Sequence, residues 1–586
     1  MNIKQEISNL ISNSLIKCGF KTNLNLVSFS AKPEIADFQS NICFAIAKEN
    51  KLNPEIVANK IIENINSQDY NFSFCAPGFI NIKLTDKKLA SIGNFLLSCE
   101  NLGIEKITEN KLVFLDYGGA NVAKELHMGH LRSPIIGEAI KNLYKLFGYK
   151  TIADTHLGDW GLQMGLTIAQ LEEDGYLDYY FKNAKTEPEI TLSMLNIAYP
   201  KASLRRKTDE AFKKKADDYT LFLQQKKEPY FTICKKLREV SVKTIKKNYD
   251  NLNIHFDLWN GESSVSDKIS ETIELFKNKG LTRISEGALV VDVATENENI
   301  PIPKKHPEDP QYYKNPMPPA ILQKYNGGEL YITTDLATLL DRNQKYNPDE
   351  VIYITDNRQI EHFVKVFRCA KMAGISPESQ KLTHVAFGTM NGKDGKPFKT
   401  RSGDTIKLED IINLVSEKAQ EKLTANGMGK DAKLALQIGV AALKFGDLSN
   451  DVARDYVLDI DKFTSFEGKT GPYLQYTNAR INSLLVKSNE KFGKISISRI
   501  EERNIIINLL KLIESFSISI ENLSLSSLCN ATYNLAASYS TFYNNVRILS
   551  EENEELRRGY LALSALVKNA ISLSLKVLAI DSPEKM

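Results

Sequence analysis

The stretch KLVFLDYGG (111–119) constrains the fold more than any other part of the chain. Its continuous apolar run reads as a buried strand, and the strand runs into a Gly-Gly loop. A helix follows, with Leu131, Ile135, Ile136, Ala139, Leu143 and Leu146 on its buried face. Strand, glycine loop and helix open an α/β nucleotide-binding domain. Further strand signals stand at ALVVDV (288–293), ELYIT (329–333) and VIYIT (351–355), each followed by a helical pattern. That alternation predicts a Rossmann-type parallel sheet. Residues ~175–250 are charged and helical, an insertion rather than sheet.

At 586 residues and 66.0 kDa the chain is too long for one core; roughly three to five domains are expected. The first ~105 residues read as a small α+β module. It opens on an amphipathic helix with Ile3, Ile7, Leu10 and Ile11 on one face and leads to FSFCAPGFINIKL (72–84), broken at Pro77-Gly78. From ~430 onward helical periodicity dominates, as in IINLLKLIESF (506–516) and LALSALVKNAISLSLKVLAI (561–580). The expected division is therefore an N-terminal α+β domain (1–108), an α/β domain (109–400) with its helical insertion, a connecting stem (401–459) and an all-α bundle (460–586).

Several function classes are set aside by composition. No apolar run approaches the roughly 18 residues of a membrane span. The N-terminus lacks the order of a signal peptide. A cytoplasmic protein with no membrane partner is expected. The seven cysteines are scattered, with no CxxC pair and no Cys/His group at zinc-ligand spacing. Reduced thiols and no structural zinc are expected. The net charge of +3 neither demands nor excludes nucleic acid. Residues 201–250 carry fifteen Lys/Arg against seven Asp/Glu. This is a solvated helical face or, given a nucleic-acid partner, a phosphate-facing surface.

The chemistry-bearing residues fall in blocks. His127-Met128-Gly129-His130 lies where the glycine loop meets the helix. A helix N-terminus offers free N–H donors and suits a polyphosphate. Two histidines three apart share one side of a turn. Gly129 permits close approach of a ring to the backbone, and Lys124 adds a cation upstream. Pro134 has no N–H to give, so the helix starts only a few residues earlier. Taken alone, HMGH also fits surface histidines or a metal pair.

In YITTDLATLLDR (331–342), Thr333 or Thr334 can cap a helix and place Asp335 in its first turn, with Tyr331 at the strand end. A carboxylate beside a phenol can cradle a guanidinium; in isolation Asp335 also reads as an ordinary helix N-terminal acid. DNRQIEHF (356–363) follows a strand end, where open α/β sheets bind ligands, and offers Gln359 and His362. GKDGKPFKTRSGDTIKL (392–408) is a lysine- and glycine-rich loop that can fold over a triphosphate or be a plain basic surface loop. In FEGKTGPYLQYTNARI (466–481), Tyr473, Tyr476 and Arg480 share a helix face able to stack unpaired bases. A core stripe has the same spacing.

These blocks resemble the arginyl-tRNA synthetases, in order from ~36 to 586. DYGGANVAKELHMGHLRSPIIGEA (116–139) looks like that family's HIGH region. The resemblance implies an ATP site at His127, Gly129 and His130, with catalytic roles for both histidines and Lys124. It implies arginine binding by Asp116, Asn121, His130, Tyr331, Asp335 and Gln359. THLGDWGLQMG (155–165) matches a block lining the same cleft, which brings in His156, Asp159 and Gln163. The basic loop stands where class I synthetases carry KMSKS, but PFKTR (397–401) is found there instead. Lys393, Lys396, Lys399 and Arg401 are its candidates without individual roles, and the family pattern points to Lys124 as the compensating lysine. tRNA contacts are implied at Tyr473, Tyr476, Arg480, Tyr543 and Met586, and in ADFQSN (36–41) at Phe38, Gln39 and Asn41. Two further departures are Gly119-Ala120, where a Ser-Pro pair is common, and Pro134, where a small or β-branched residue is usual.

The resemblance further implies a monomer that joins L-arginine to the 3′ end of tRNA(Arg), with ATP and Mg2+, no other metal and no DNA partner. In that reaction the carboxylate attacks the ATP α-phosphorus and the tRNA ribose hydroxyl then attacks the adenylate. Members generally need tRNA before they activate arginine. A cysteinyl-type enzyme is disfavoured by the missing zinc thiolates, and editing members by the lack of room. A non-catalytic paralogue is disfavoured by the intact motif and pocket. A small HIGH-motif nucleotidyltransferase leaves both terminal modules unexplained.

Overall fold

The computed structural model describes residues 2–586 apart from 22–26, 183, 297, 302–311, 315–316, 326–329, 393–394 and 396–405; the side chains of 299–301 and 312–314 are also outside the description. The basic-loop candidates Lys393, Lys396, Lys399 and Arg401 lie outside the described residues.

The central sheet has four parallel strands, in the order Lys381–Phe387, Glu350–Asp356, Leu112–Tyr117, Lys150–Asp154. Leu112–Tyr117 is buried on both faces, as its unbroken apolar run requires. Its chain leaves through the helix Arg132–Leu146 to the Lys150–Asp154 strand on one side. Its other neighbour, Glu350–Asp356, arrives from far along the sequence. The strand order therefore reverses between these two, and their carboxyl ends open a crevice for ligand.

The sequence misassigned two of the strands. ALVVDV does form a strand at Ala288–Val291, but it pairs antiparallel with Thr282–Ser285 and Ala320–Gln323 in a separate sheet. ELYIT is not a strand where described: Tyr331 opens the helix Tyr331–Tyr346. Its β-branched and aromatic residues mimic a strand, but Ile332, Leu336 and Leu339 recur at helical spacing and are buried. Two strands of the parallel sheet, Lys150–Asp154 and Lys381–Phe387, carried weaker signals because each is partly exposed at a sheet edge.

The N-terminal module holds a four-stranded antiparallel sheet, in which Tyr70–Cys75 and Phe79–Leu84 form a hairpin about the break read at Pro77-Gly78. The insertion is helical throughout its main elements: Leu192–Arg205, Glu210–Gln224 and Tyr230–Asn251. The C-terminal bundle comprises Gly471–Ser488, Ile500–Asn522, Ser526–Asn545 and Glu554–Val577. Glu554–Val577 does have the length and apolarity of a membrane span, at mean hydropathy 1.2, contrary to the sequence expectation. Its 18-residue apolar window is 72% buried inside the bundle, which accounts for its composition.

Charge on the insertion is largely spent internally. Lys201, Arg205 and Lys215 pair with Asp174, Glu173 and Glu172 of the preceding helix. Lys236, Arg238 and Lys247 pair with Glu187, Asp159 and Glu409. Lys207, Lys214, Lys227, Lys235, Lys243 and Lys246 remain exposed without an ion pair among the described residues. The basic excess of 201–250 is thus offset by carboxylates from outside that stretch.

Candidate active site

A cleft of about 780 Å³ opens at the reversal point of the sheet. Asp116, Asn121, His127, Gly129, His130, His156, Tyr331, Asp335 and Gln359 all line it.

At one end stand the two histidines, His127 as the N-cap and His130 as the last residue of a short 3-10 turn, Met128–His130, just ahead of the helix. Pro134 is the third residue of that helix, as its missing N–H predicts. The His127 and His130 rings lie 3.9 Å apart, centroid to centroid. His127 Nδ1 accepts from the Gly129 N–H at 3.0 Å, and His130 Nδ1 accepts from the His127 N–H at 3.1 Å. Because both Nδ1 atoms accept, each neutral ring carries its proton on Nε2. Burial, with the charges of His127 and Lys124 adding to it, pushes His130 down to about 3. Burial and then Lys124 also lower His127. The pair is therefore neutral at ordinary pH and presents N–H donors. Gly129 is needed because a Cβ there would sit 2.9 Å from the His127 ring.

The lysine-rich segment is rooted at this end. Met128 N donates to Ile406 O, and Leu408 N donates to Leu126 O, both at 2.9 Å. Lys124 itself does not line the cleft. Its Nζ lies 4.2 Å from the Tyr199 ring, in a small adjoining hollow with Glu125, Asn248 and Lys407.

The other end of the cleft is acidic. Asp335 Oδ2 is 2.5 Å from His362 Nε2. Tyr331 is 71% exposed and begins the helix, so Tyr331 and Asp335 share a face by i,i+4 spacing rather than across a strand end. Neither threonine caps that helix. Thr333 is buried and donates to Leu322 O, and Asp335 falls in the second turn. Glu262 joins this end and was missed by sequence reasoning. Burial, with the charges of Asp335 and Asp159 adding to it, pushes its carboxyl up to about 8. Its only sequence signal was an acid just after Gly261 in an unremarked loop.

Other candidates are placed differently from expectation. Asp116 touches the cleft, yet its Oδ2 is 2.7 Å from Nη2 of buried Arg342, which also holds Asp154 at 3.0 Å. Its carboxylate is thus committed to a pair beneath the floor. His156 lines the cleft, and its buried Nδ1 has no hydrogen-bond partner among the described residues. Asp159 does not line the cleft. It is fully buried, pairs with Arg238, and accepts from Ser263 N and Oγ. Gln163 does not line it either; its amide donates to Val122 O and braces the glycine loop. Asn121 presses on Gly158, where a Cβ would meet Asn121 Oδ1 at 2.3 Å.

Of the remote candidates, Phe38 is only 1% exposed and stacks on Phe29 at 4.6 Å, so it is core and not a contact surface. Gln39 is bonded to Asn81, and Asn41 is exposed ahead of a helix. In the bundle, the Arg480 guanidinium lies 4.6 Å from the Tyr543 ring and 5.6 Å from Tyr476. Tyr473 is half-buried and bonded to Ser540. Met586 packs against the Ala419–Ile438 cluster.

Comparison with known proteins accords with this geometry. Residues 91–460 match the model described as tRNA synthetases class I (R), catalytic domain. Residues 3–84 match the arginyl tRNA synthetase N terminal domain, and 474–586 the DALR anticodon binding domain. The arginine–tRNA ligase of Agathobacter rectalis is 40% identical over 99% of both chains, and that of Alkaliphilus oremlandii 38% identical over 99% of both. A crystal structure of arginyl-tRNA synthetase from Plasmodium falciparum superposes with a TM-score of 0.82 at 26% identity, covering 100% of this chain and 99% of that one.

Proposed function

The chain belongs to the arginyl-tRNA synthetase family and is an arginine–tRNA ligase, and from that premise we propose how its cleft divides the work. ATP lies at the histidine end, and the arginine side chain lies at the acidic end. The observation that carries this reading is the pairing, in one cleft, of neutral histidine donors with a carboxylate set at the far side.

Arginine's guanidinium is recognised by Asp335, held in place by His362, and by Glu262, with Tyr331, Asn121 and Gln359 around it. An ammonium would leave part of this acceptor set unpaired, which selects against lysine. The arginine carboxylate attacks the α-phosphorus of ATP, and pyrophosphate leaves. The Nε2–H groups of His127 and His130 stabilise the charge that develops on the phosphate oxygens. The 3′-terminal ribose hydroxyl of tRNA(Arg) then attacks the adenylate carbonyl, and AMP leaves. No protein nucleophile is needed, so catalysis is positioning and charge stabilisation.

Family membership implies Mg2+ with the ATP. Bound with the ATP, it would neutralise charge on the triphosphate. The basic-loop residues act on the same phosphates, supported by the anchoring of Ile406–Leu408 beside His127; Lys124, whose charge already lowers both histidines, joins them by swinging off the Tyr199 ring. The Tyr476–Arg480–Tyr543 stack meets the anticodon, and Gln39 and Asn41 meet a more distant part of the tRNA. The same reading includes a four-part division of the chain at about residues 108, 400 and 459, a monomeric state and a cytoplasmic setting. Seven unpaired cysteines support the last.

The test is charging of total tRNA with each of the twenty amino acids in turn. Charging with arginine alone is expected. Charging with another amino acid would overturn the guanidinium reading.

A further inference from the structure

Arg132 begins the signature helix two residues after His130 and is only 2% exposed. Its guanidinium gathers three acceptors from two distant parts of the chain. Nε donates to Asp447 Oδ2 at 3.1 Å, and Nη1 donates to Gly388 O at 2.6 Å and to Arg454 O at 3.2 Å. Asp447 also accepts from the Tyr456 hydroxyl at 3.0 Å. The guanidinium lies 5.0 Å from the Tyr456 ring and 5.7 Å from Phe387. Nη2 has no partner among the described residues.

What Arg132 holds matters for the nucleotide. Phe387, Gly388, Thr389 and Met390 form a wall of the cleft beside the histidines' helix, and the lysine-rich segment follows them directly. That strip is stapled to the stem. Gly388 N donates to Val452 O, Thr389 N to Asp455 Oδ1, and Tyr456 N to Thr389 O, at 3.1, 2.6 and 3.1 Å. Gly388 has no room for a side chain, since a Cβ would lie 2.5 Å from the Arg454 backbone.

A buried ion pair contributes little net stability, because desolvation offsets the attraction, and packed apolar residues would hold the same joint as well. A planar fork does something they cannot: it fixes three acceptors in one plane at set distances. We propose that Arg132 is a positioning residue for adenylate formation, setting the gap between the histidine signature and the Phe387–Met390 wall through its fork onto Asp447, Gly388 and Arg454. The nucleotide end is on this account shared between the parallel sheet and the stem, and it is complete only while the two are joined. The inference rests on the placement of ATP at the histidine end.

The test uses full-length Arg132→Lys and Asp447→Asn in ATP–pyrophosphate exchange with tRNA present, alongside thermal melting. Arg132→Lys keeps the charge but loses the fork. Asp447→Asn keeps the size and the bond to Tyr456 but loses the charge. Both variants are expected to melt cooperatively. Both should lose on the order of 100-fold in kcat, as a displacement of about 1 Å can do, with a raised KM for ATP and a KM for arginine within twofold of wild type. Wild-type constants in both variants would overturn the proposal, and so would a loss that merely follows the unfolded fraction. Wild-type exchange dependent on arginine is measured first; its failure would strike the placement of the substrates, not the role of Arg132.

Discussion

The two ends of the cleft are built in opposite ways. The histidine end is local: one turn, Met128–His130, and its N-cap His127 supply both rings, their tautomers and the glycine that lets them sit together. The acidic end is assembled: Glu262, Asp335 and His362 come from three separated segments brought together by the sheet. The local end carries neutral donors suited to a charge that appears only during reaction. The assembled end carries half-buried carboxyl groups suited to a charge that the substrate brings with it. Reaction chemistry can thus be encoded in a short motif, whereas recognition of a long side chain needs walls from several places.

That contrast can be broken by substitution. Asp335→Ala should have the largest effect, lowering kcat/KM for arginine by about 10³- to 10⁴-fold, because it removes a half-buried charged acceptor shaped for the guanidinium. Exchange kinetics should show the KM for ATP unchanged, and a matching rise in that constant would mean the ends are not separate.

His130→Ala should lower kcat by about 10²- to 10³-fold, as the loss of one preorganised donor does, with the arginine KM held. Since His130 is pushed down to about 3, no rate change from its titration is expected between pH 5 and 9. A drop in rate on its protonation near pH 6.5 would contradict the neutral-donor role.

A third measurement sharpens the assembled end. Glu262 is pushed up to about 8, so in the free enzyme it is protonated at pH 7 and must lose a proton to meet a guanidinium. The KM for arginine should therefore fall by up to about tenfold per unit as pH rises from 6 toward 8 and then level off. Glu262→Gln should flatten that profile. The same shift has a stability sign. The folded chain keeps a proton that the unfolded chain releases above about 4.5, so this group's contribution is full below that pH and is lost as pH rises through about 8. Saturating arginine should offset the loss in a melting experiment.

The smallest effect lies outside the cleft. Tyr476→Ala should raise the KM for tRNA about tenfold, in line with the ~1–3 kcal/mol of one base stack. Its effect on arginine affinity should be within error.

Legibility in the sequence followed the same local-versus-assembled line. The strand 112–117, the mouth of the 132–146 helix and the histidine pair were readable because each depends on residues a few positions apart. The residues 329–333 misled because a β-rich pentapeptide says nothing about the helix it must join. Phe38 was offered as a contact and is core, since an aromatic residue reads alike whether it faces solvent or Phe29. Asp159 matched a cleft block yet serves Arg238 and Ser263. The 201–250 excess of lysine and arginine gave no sign that Lys201, Arg205 and Lys215 pair with Asp174, Glu173 and Glu172.

By itself the sequence determined the kind of protein this is: a parallel-sheet domain opening on a histidine signature, between an α+β module and a helical bundle. Periodicity, glycine placement and motif order act within short stretches, and they need no knowledge of distant partners. Only the tertiary structure decided that Glu262 joins Asp335, that Asp116 is spent on Arg342, and that Arg132 ties the signature to Gly388 and Asp447. Those are encounters between groups tens to hundreds of residues apart. The field at a charged side chain is set by what burial brings within a few ångströms of it, not by its neighbours along the chain.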